Sequence, residues 1–148
     1  MTTHVAAVAQ LAVPFLWLGM VLGISFLETP LKFRAPGITV PLALGIGRLV
    51  FRALNAVEVA LAVTLTVALF ASNGDLDAVV VAVFIAVWTL LVIQVAVLRP
   101  RLDRRVQQLL HGQSPPRSRQ HLAYVAIECT KILLLATLGI LLAYRLLP

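Results

Sequence analysis

The chain has 148 residues, 61% hydrophobic and 12% charged, with a mean hydropathy of +1.00. Soluble domains carry about 25% charged and 45–50% apolar residues. The composition therefore excludes an ordinary cytosolic domain, a disordered chain and a free-standing nucleic-acid binder. Its single cysteine, Cys129, excludes a disulfide framework, a multi-cysteine zinc site and a CxxC redox centre.

A membrane-crossing helix needs about 20 mainly apolar residues. Residues 5–27 form the first such stretch and carry no charge. This stretch lacks the basic leader and small-x-small site of a cleaved signal, so it is expected to stay in the protein. Gly19-x-x-x-Gly23 marks a close-packing face on it, within the chain or between protomers. The first connection, Glu28–Gly47, holds Lys32 and Arg34, and its part Ile38–Gly47, read with the adjoining Pro36 and Gly37 and holding Pro41, Gly45 and Gly47, is too short to span and is expected to skim the interface. The second span runs from about residue 48 to 71. A short acidic connection, Ser72–Asp77, leads to the third span, 78–98. The next connection carries Arg99, Arg101, Arg104, Arg105, Arg117 and Arg119. Its apolar face of Leu102, Val106, Leu109 and Leu110 predicts a short helix on the inner leaflet. The fourth span is 122–147. The expected fold is an all-α bundle of four transmembrane helices in one domain, 1–148.

Basic residues cluster on the first and third connections, and the second has none. The positive-inside rule puts those two connections in the cytoplasm and both termini outside. It also accounts for the net charge of +6. Arg99, Arg101, Arg104 and Arg105 are placed to meet anionic headgroups, and no nucleic acid is needed to explain them. Ten arginines against two lysines, with heavy Ala, Val and Leu usage, point to a GC-rich bacterial genome and an inner membrane. So short a chain leaves little shell around a polar centre, so a homo-oligomer is expected.

Ionisable side chains inside a span cost about 2.5–3.5 kcal/mol each on insertion scales, which makes each a candidate for function. Arg48, Arg52, Asn55 and Glu58 form a stripe about 120° wide on the second span. His121, Tyr124, Glu128 and Lys131 form one about 80° wide on the fourth. Gln94 comes from the third span and Glu28 from the end of the first. Glu58 and Glu128 fall roughly 7–11 Å inside the cytoplasmic boundary by helical rise, and Gln94 about 6 Å. The outer halves of the spans are apolar, so the polarity converges on a cytoplasm-facing vestibule and not on a through-pore.

Three functions stay open on these residues. One is binding or transport of a small polar or charged ligand, with a proton as an available coupling ion. Glu58 and Glu128 would then carry charge, Lys131 would be the counter-ion, Asn55, Gln94 and Tyr124 the lining, and Glu28, Arg48 and Arg52 the mouth. The second is an enzyme acting on lipophilic substrates. The third is a scaffold in which Lys131 only neutralises the carboxylates and the arginines only reach headgroups. No metal is expected, since the Glu-x-x-His spacing of di-iron bundles is absent and the lysine repels a cation. Cys129 lies off the polar stripe and reads as a small buried apolar residue.

Two resemblances add to this. Ser25-Phe-Leu-Glu-Thr-Pro-Leu-Lys-Phe-Arg-Ala-Pro-Gly-Ile-Thr, with Gly47-Arg-Leu-Val-Phe-Arg-Ala-Leu-Asn-Ala-Val-Glu, resembles a group of small, uncharacterised bacterial four-helix membrane proteins. That resemblance covers nearly the whole chain and implies no activity. Arg52-Ala-Leu-Asn55-Ala-Val-Glu58 is also similar to the second-helix motif Arg-Ala-x-x-Asn-x-x-Glu of membrane-associated proteins in eicosanoid and glutathione metabolism. This second likeness implies a membrane-bound, glutathione-transferase-like enzyme with a cytosol-facing site. The spacing here is one residue shorter, which turns Arg52 by about 100° relative to Asn55 and Glu58.

Overall fold

The computed structural model describes residues 2–72, 76–113 and 119–146. Asp75 and Arg117 of the connections lie outside these residues. All the regular structure among the described residues is helical: α1 (Thr2–Val21), α2 (Thr29–Lys32), α3 (Val40–Phe70), α4 (Ala78–Ile93), α5 (Arg99–Leu110) and α6 (Gln120–Leu146). A π-helical stretch, Leu22–Glu28, joins α1 to α2, and another, Gln94–Leu98, joins α4 to α5. The chain thus makes four rods long and apolar enough to cross a membrane: His4–Lys32, Val40–Phe70, Ala78–Leu110 and Leu122–Leu146.

Both π stretches have one cause. Pro30 and Pro100 lack an N–H, and each ring would strike the carbonyl four residues before it. The turn ahead of each proline widens instead. The N–H of Thr29 reaches the carbonyl of Ile24, and that of Arg99 reaches Gln94, each five residues back. The widened turns hold Ser25 in the first rod and Gln94 in the third, and both side chains converge on Glu128.

Two boundaries differ from the sequence expectation. The second rod begins at Val40 and not near Arg48, because Thr39 caps it by accepting from the N–H of Leu42 at 3.4 Å. Pro41 falls in the first turn, where its missing N–H costs nothing. The reversal from α2 into α3 is made at Gly37, whose φ of 76° favours glycine. The arginine-rich segment is helical, but in place of a separate short helix it continues the third rod without a break, since Leu98 and Arg99 both have right-handed helical dihedrals.

The first and fourth rods form the central pair, with α3 packed on α1 and α4 packed on α6. The second and third rods meet chiefly at the basic end, where α5 lies against α3. The interior is layered along the bundle axis. At the end near the acidic connection, Val13, Leu65, Leu69, Val80, Leu138 and Leu142 make an apolar layer. Trp17, Val21, Ala62, Val87, Leu91 and Leu135 make the next. Gln10 is buried toward the acidic connection and donates to the carbonyl of Ala68 at 2.8 Å. No atom lies within 4 Å of a side chain added at Gly19 or Gly23, so this pair is not a packing face within the chain. Close glycine contacts are instead found at Gly139, under the ring of Phe15, and at Gly47, beside the Lys32 ammonium. Cys129 is exposed, contrary to expectation, because one step past the buried Glu128 turns it about 100° outward.

Candidate functional site

Below the apolar layers, four predicted residues from three rods meet. Glu58, Gln94, Glu128 and Lys131 are all at most 1% exposed. The Lys131 ammonium pairs with Glu58 Oε1, donates to Gln94 Oε1 at 2.8 Å and donates to Glu128 Oε1 at 3.2 Å. An ammonium has three hydrogens, so its donors are fully used. Gln94 Nε2 donates to Glu128 Oε1, and Ser25 Oγ donates to Glu128 Oε2 at 3.2 Å. The Trp17 indole N–H donates to Glu58 Oε1 at 2.8 Å. Every rod therefore contributes to one hydrogen-bonded knot, a buried set of the kind that persists when its members satisfy one another. Asn55 is buried one turn from Glu58, with neither amide atom partnered, and Glu58 Oε2 is also unpartnered.

An aromatic layer separates this knot from the basic end. Tyr124 meets Phe51 edge to face, with centroids 5.5 Å apart. Lys32 Nζ and the Arg99 guanidinium each lie over the Phe51 ring, 5.4 and 5.7 Å from its centroid. On the side of it away from the knot is a cavity of about 240 Å³ to which all four rods contribute walls. Phe33, Ala43, Leu44, Leu102, Val106 and Leu109 make it apolar, while Lys32, Arg48, Arg99 and Arg105 make it cationic.

Asp103 organises the cations. Arg99, Arg52 and Arg48 approach its carboxylate at 3.1, 3.5 and 3.7 Å. Arg99 also donates to the carbonyl of Arg48, tying α5 to α3. Three buried donors and hydroxyls of this layer lack partners: Arg48 Nε, Arg99 Nε and Tyr124 Oη. Gln94 lies close to the tyrosine hydroxyl without closing a bond.

The predicted set therefore divides. Glu58, Gln94, Glu128 and Lys131 come together, with Asn55 and Tyr124 beside them. Arg48 and Arg52 gather on Asp103 instead, and Glu28 pairs with Lys32 at 3.1 Å. Arg52 points outward while Asn55 and Glu58 are buried, so these three do not share one surface. Arg101 and Arg104 are exposed. The side chain of His121 lies outside the described residues. Sequence reasoning missed Trp17, Ser25, Phe51 and Asp103. For Asp103 a signal existed: it is the lone acid of an arginine-rich segment, four residues after Arg99. Among the described residues, no group of three or more His, Cys, Asp or Glu side chains could hold a metal. Comparison with protein-family models, characterised proteins and solved structures gives no match to this chain.

Proposed function

We propose that the protein is a multi-pass protein of a bacterial inner membrane that binds a small ligand in the cavity at its basic end. That end faces the cytoplasm, with both termini outside, as the charge distribution favours. The observation that carries this reading is the cavity itself, enclosed by four rods, apolar in its walls and lined by four cations against one carboxylate. Ligand sites are concave, mainly apolar and set with a few convergent polar groups. The deep knot supports a different role. Its ammonium has no donor left for a ligand, and it joins all four rods, so it fixes their mutual rotation. The two apolar layers beyond it favour binding from the cytoplasmic side over passage through the bundle. The exposed Arg101 and Arg104 suit contact with anionic headgroups, and self-association remains part of this reading.

Native mass spectrometry of protein released from mild detergent tests it. A co-purified mass is expected in the wild type, retained in Glu58→Gln and lost in Arg99→Gln. Loss in Glu58→Gln with retention in Arg99→Gln would move the ligand to the knot and overturn the assignment.

A further inference from the structure

The cavity's charges and unfilled donors point to a narrower class of ligand, an inference that rests on the binding reading above. Lys32 is matched by Glu28. The guanidiniums of Arg48, Arg52 and Arg99, by contrast, share the single carboxylate of Asp103; Arg52 is 61% exposed to solvent, and the two that line the cavity, Arg48 and Arg99, leave one positive charge in excess. Burial makes such an excess costly unless an anion joins it. Two residues that line the cavity carry donors without an acceptor. Arg48 Nε and Arg99 Nε are buried without an acceptor, and Arg48 Nε stands 3.7 Å from Asp103, too far for a hydrogen bond. Tyr124, 5% exposed, lines the same cavity and carries an unpartnered hydroxyl.

Depth adds an independent argument. Counted from Phe70 at the far end of α3, helical rise puts Phe51 at about 28 Å, Arg48 at about 33 Å and Ala43 at about 40 Å. The hydrocarbon core is about 30 Å thick, and the headgroup regions extend it to about 40–45 Å. The aromatic floor thus lies at the hydrocarbon boundary and the arginines lie at headgroup level, beside apolar walls.

We propose that this cavity binds a phosphate monoester carrying an apolar group. The phosphate lies on Arg48, Arg99 and Tyr124, and the apolar group lies along Leu44, Leu102 and Val106. A phosphate monoester is a dianion above its second pKa of about 6, so it brings twice the negative charge of a carboxylate or sulfate ester to the Arg48 and Arg99 guanidiniums. Guanidinium forks also match phosphate oxygens in geometry. The same chemistry is offered by a membrane lipid with a terminal phosphate and by a free alkyl or prenyl phosphate.

The test uses the full chain in nanodiscs of phosphatidylcholine at pH 8, with decyl phosphate, decyl sulfate, inorganic phosphate and decanol titrated by calorimetry. Decyl phosphate is expected to bind at least about tenfold more tightly than decyl sulfate, on the scale of one charge-assisted hydrogen bond. Tyr124→Phe should weaken it by about fivefold to tenfold, the scale of one hydroxyl bond. Asp103→Asn should tighten it, a direction that a folding defect does not imitate. Competition by phosphatidic acid placed in the disc identifies the lipid as the source, and its absence identifies the free ester; either supports the class. Equal affinity for sulfate and phosphate, with Asp103→Asn neutral, overturns the phosphate assignment while the binding reading stands. Equal binding of decanol and decyl phosphate, unchanged in Arg99→Gln, overturns both.

Discussion

Replacing Lys131 with methionine isolates the energetics of the deep knot. Methionine keeps much of the length of the stem but removes the ammonium, which is 0% exposed and meets Glu58, Gln94 and Glu128. At about 1.5 kcal/mol for each contact to a charged group, the lower end of the usual range, three lost contacts amount to about 4.5 kcal/mol. That agrees with the about 3–5 kcal/mol measured when one partner of a buried pair is deleted and the other charge is stranded. The triple variant Glu58→Gln, Glu128→Gln, Lys131→Met strands no charge. The amides still accept from Trp17 and Ser25, so it should recover to within about 1–2 kcal/mol of wild type. Equilibrium unfolding in mixed micelles, followed by tryptophan fluorescence, measures all three proteins. A single variant costing less than about 1 kcal/mol, or a triple variant no firmer than the single one, would refute the reasoning.

Two smaller perturbations probe the packing around the knot. Trp17→Phe removes the 2.8 Å bond to Glu58 and should cost about 1–3 kcal/mol. Most of that loss should vanish in a Glu58→Leu background, which a double-mutant cycle of unfolding free energies reads directly. At Gly139 an added Cβ would meet the Phe15 ring at 2.8 Å, so Gly139→Ala should cost about 1–3 kcal/mol by overpacking. Gly19→Ala and Gly23→Ala meet nothing and should leave unfolding unchanged or firmer by up to about 1 kcal/mol; a loss at either would put an unseen neighbour there.

The four spans were readable because lipid tolerates few alternatives to long apolar helices. The meeting of Glu58, Gln94, Glu128 and Lys131 was readable for a related reason. Each is too costly to face hydrocarbon, and equal depth leaves one another as partners. What hydropathy does not encode is rotation about each helix axis. Trp17 and Ser25 look like ordinary packing residues until the first rod is turned to bring them onto Glu58 and Glu128. The start of the second rod was misread for a local reason. Pro41 resembles a breaker in a glycine-rich stretch, but behind a Thr39 cap it is a first-turn residue. Asp103 was hidden in a run of arginines that topology alone seemed to explain.

The knot and the cavity are mechanically one object, so charges that do not line the cavity still set its geometry. Arg48, Phe51, Asn55 and Glu58 stand on successive turns of the second rod, so the position of Arg48 is set wherever Glu58 is clamped to Lys131. Gln94 and Arg99 stand at either end of a single widened turn of the third rod, so the grip on Gln94 sets Arg99. Tyr124 is one turn from Glu128 on the fourth. Each wall of the cavity therefore hangs from a member of the knot by a few residues of helix. An anion site built from guanidiniums depends on their spacing, because a misplacement of about 1 Å is enough to spoil a hydrogen bond. In hydrocarbon, apolar side chains pack as well against lipid as against one another and cannot fix rotation strongly. A buried, fully paired lysine can, since any other rotation strands a charge. On this argument the charges lie just beneath the cavity because its geometry must be held there.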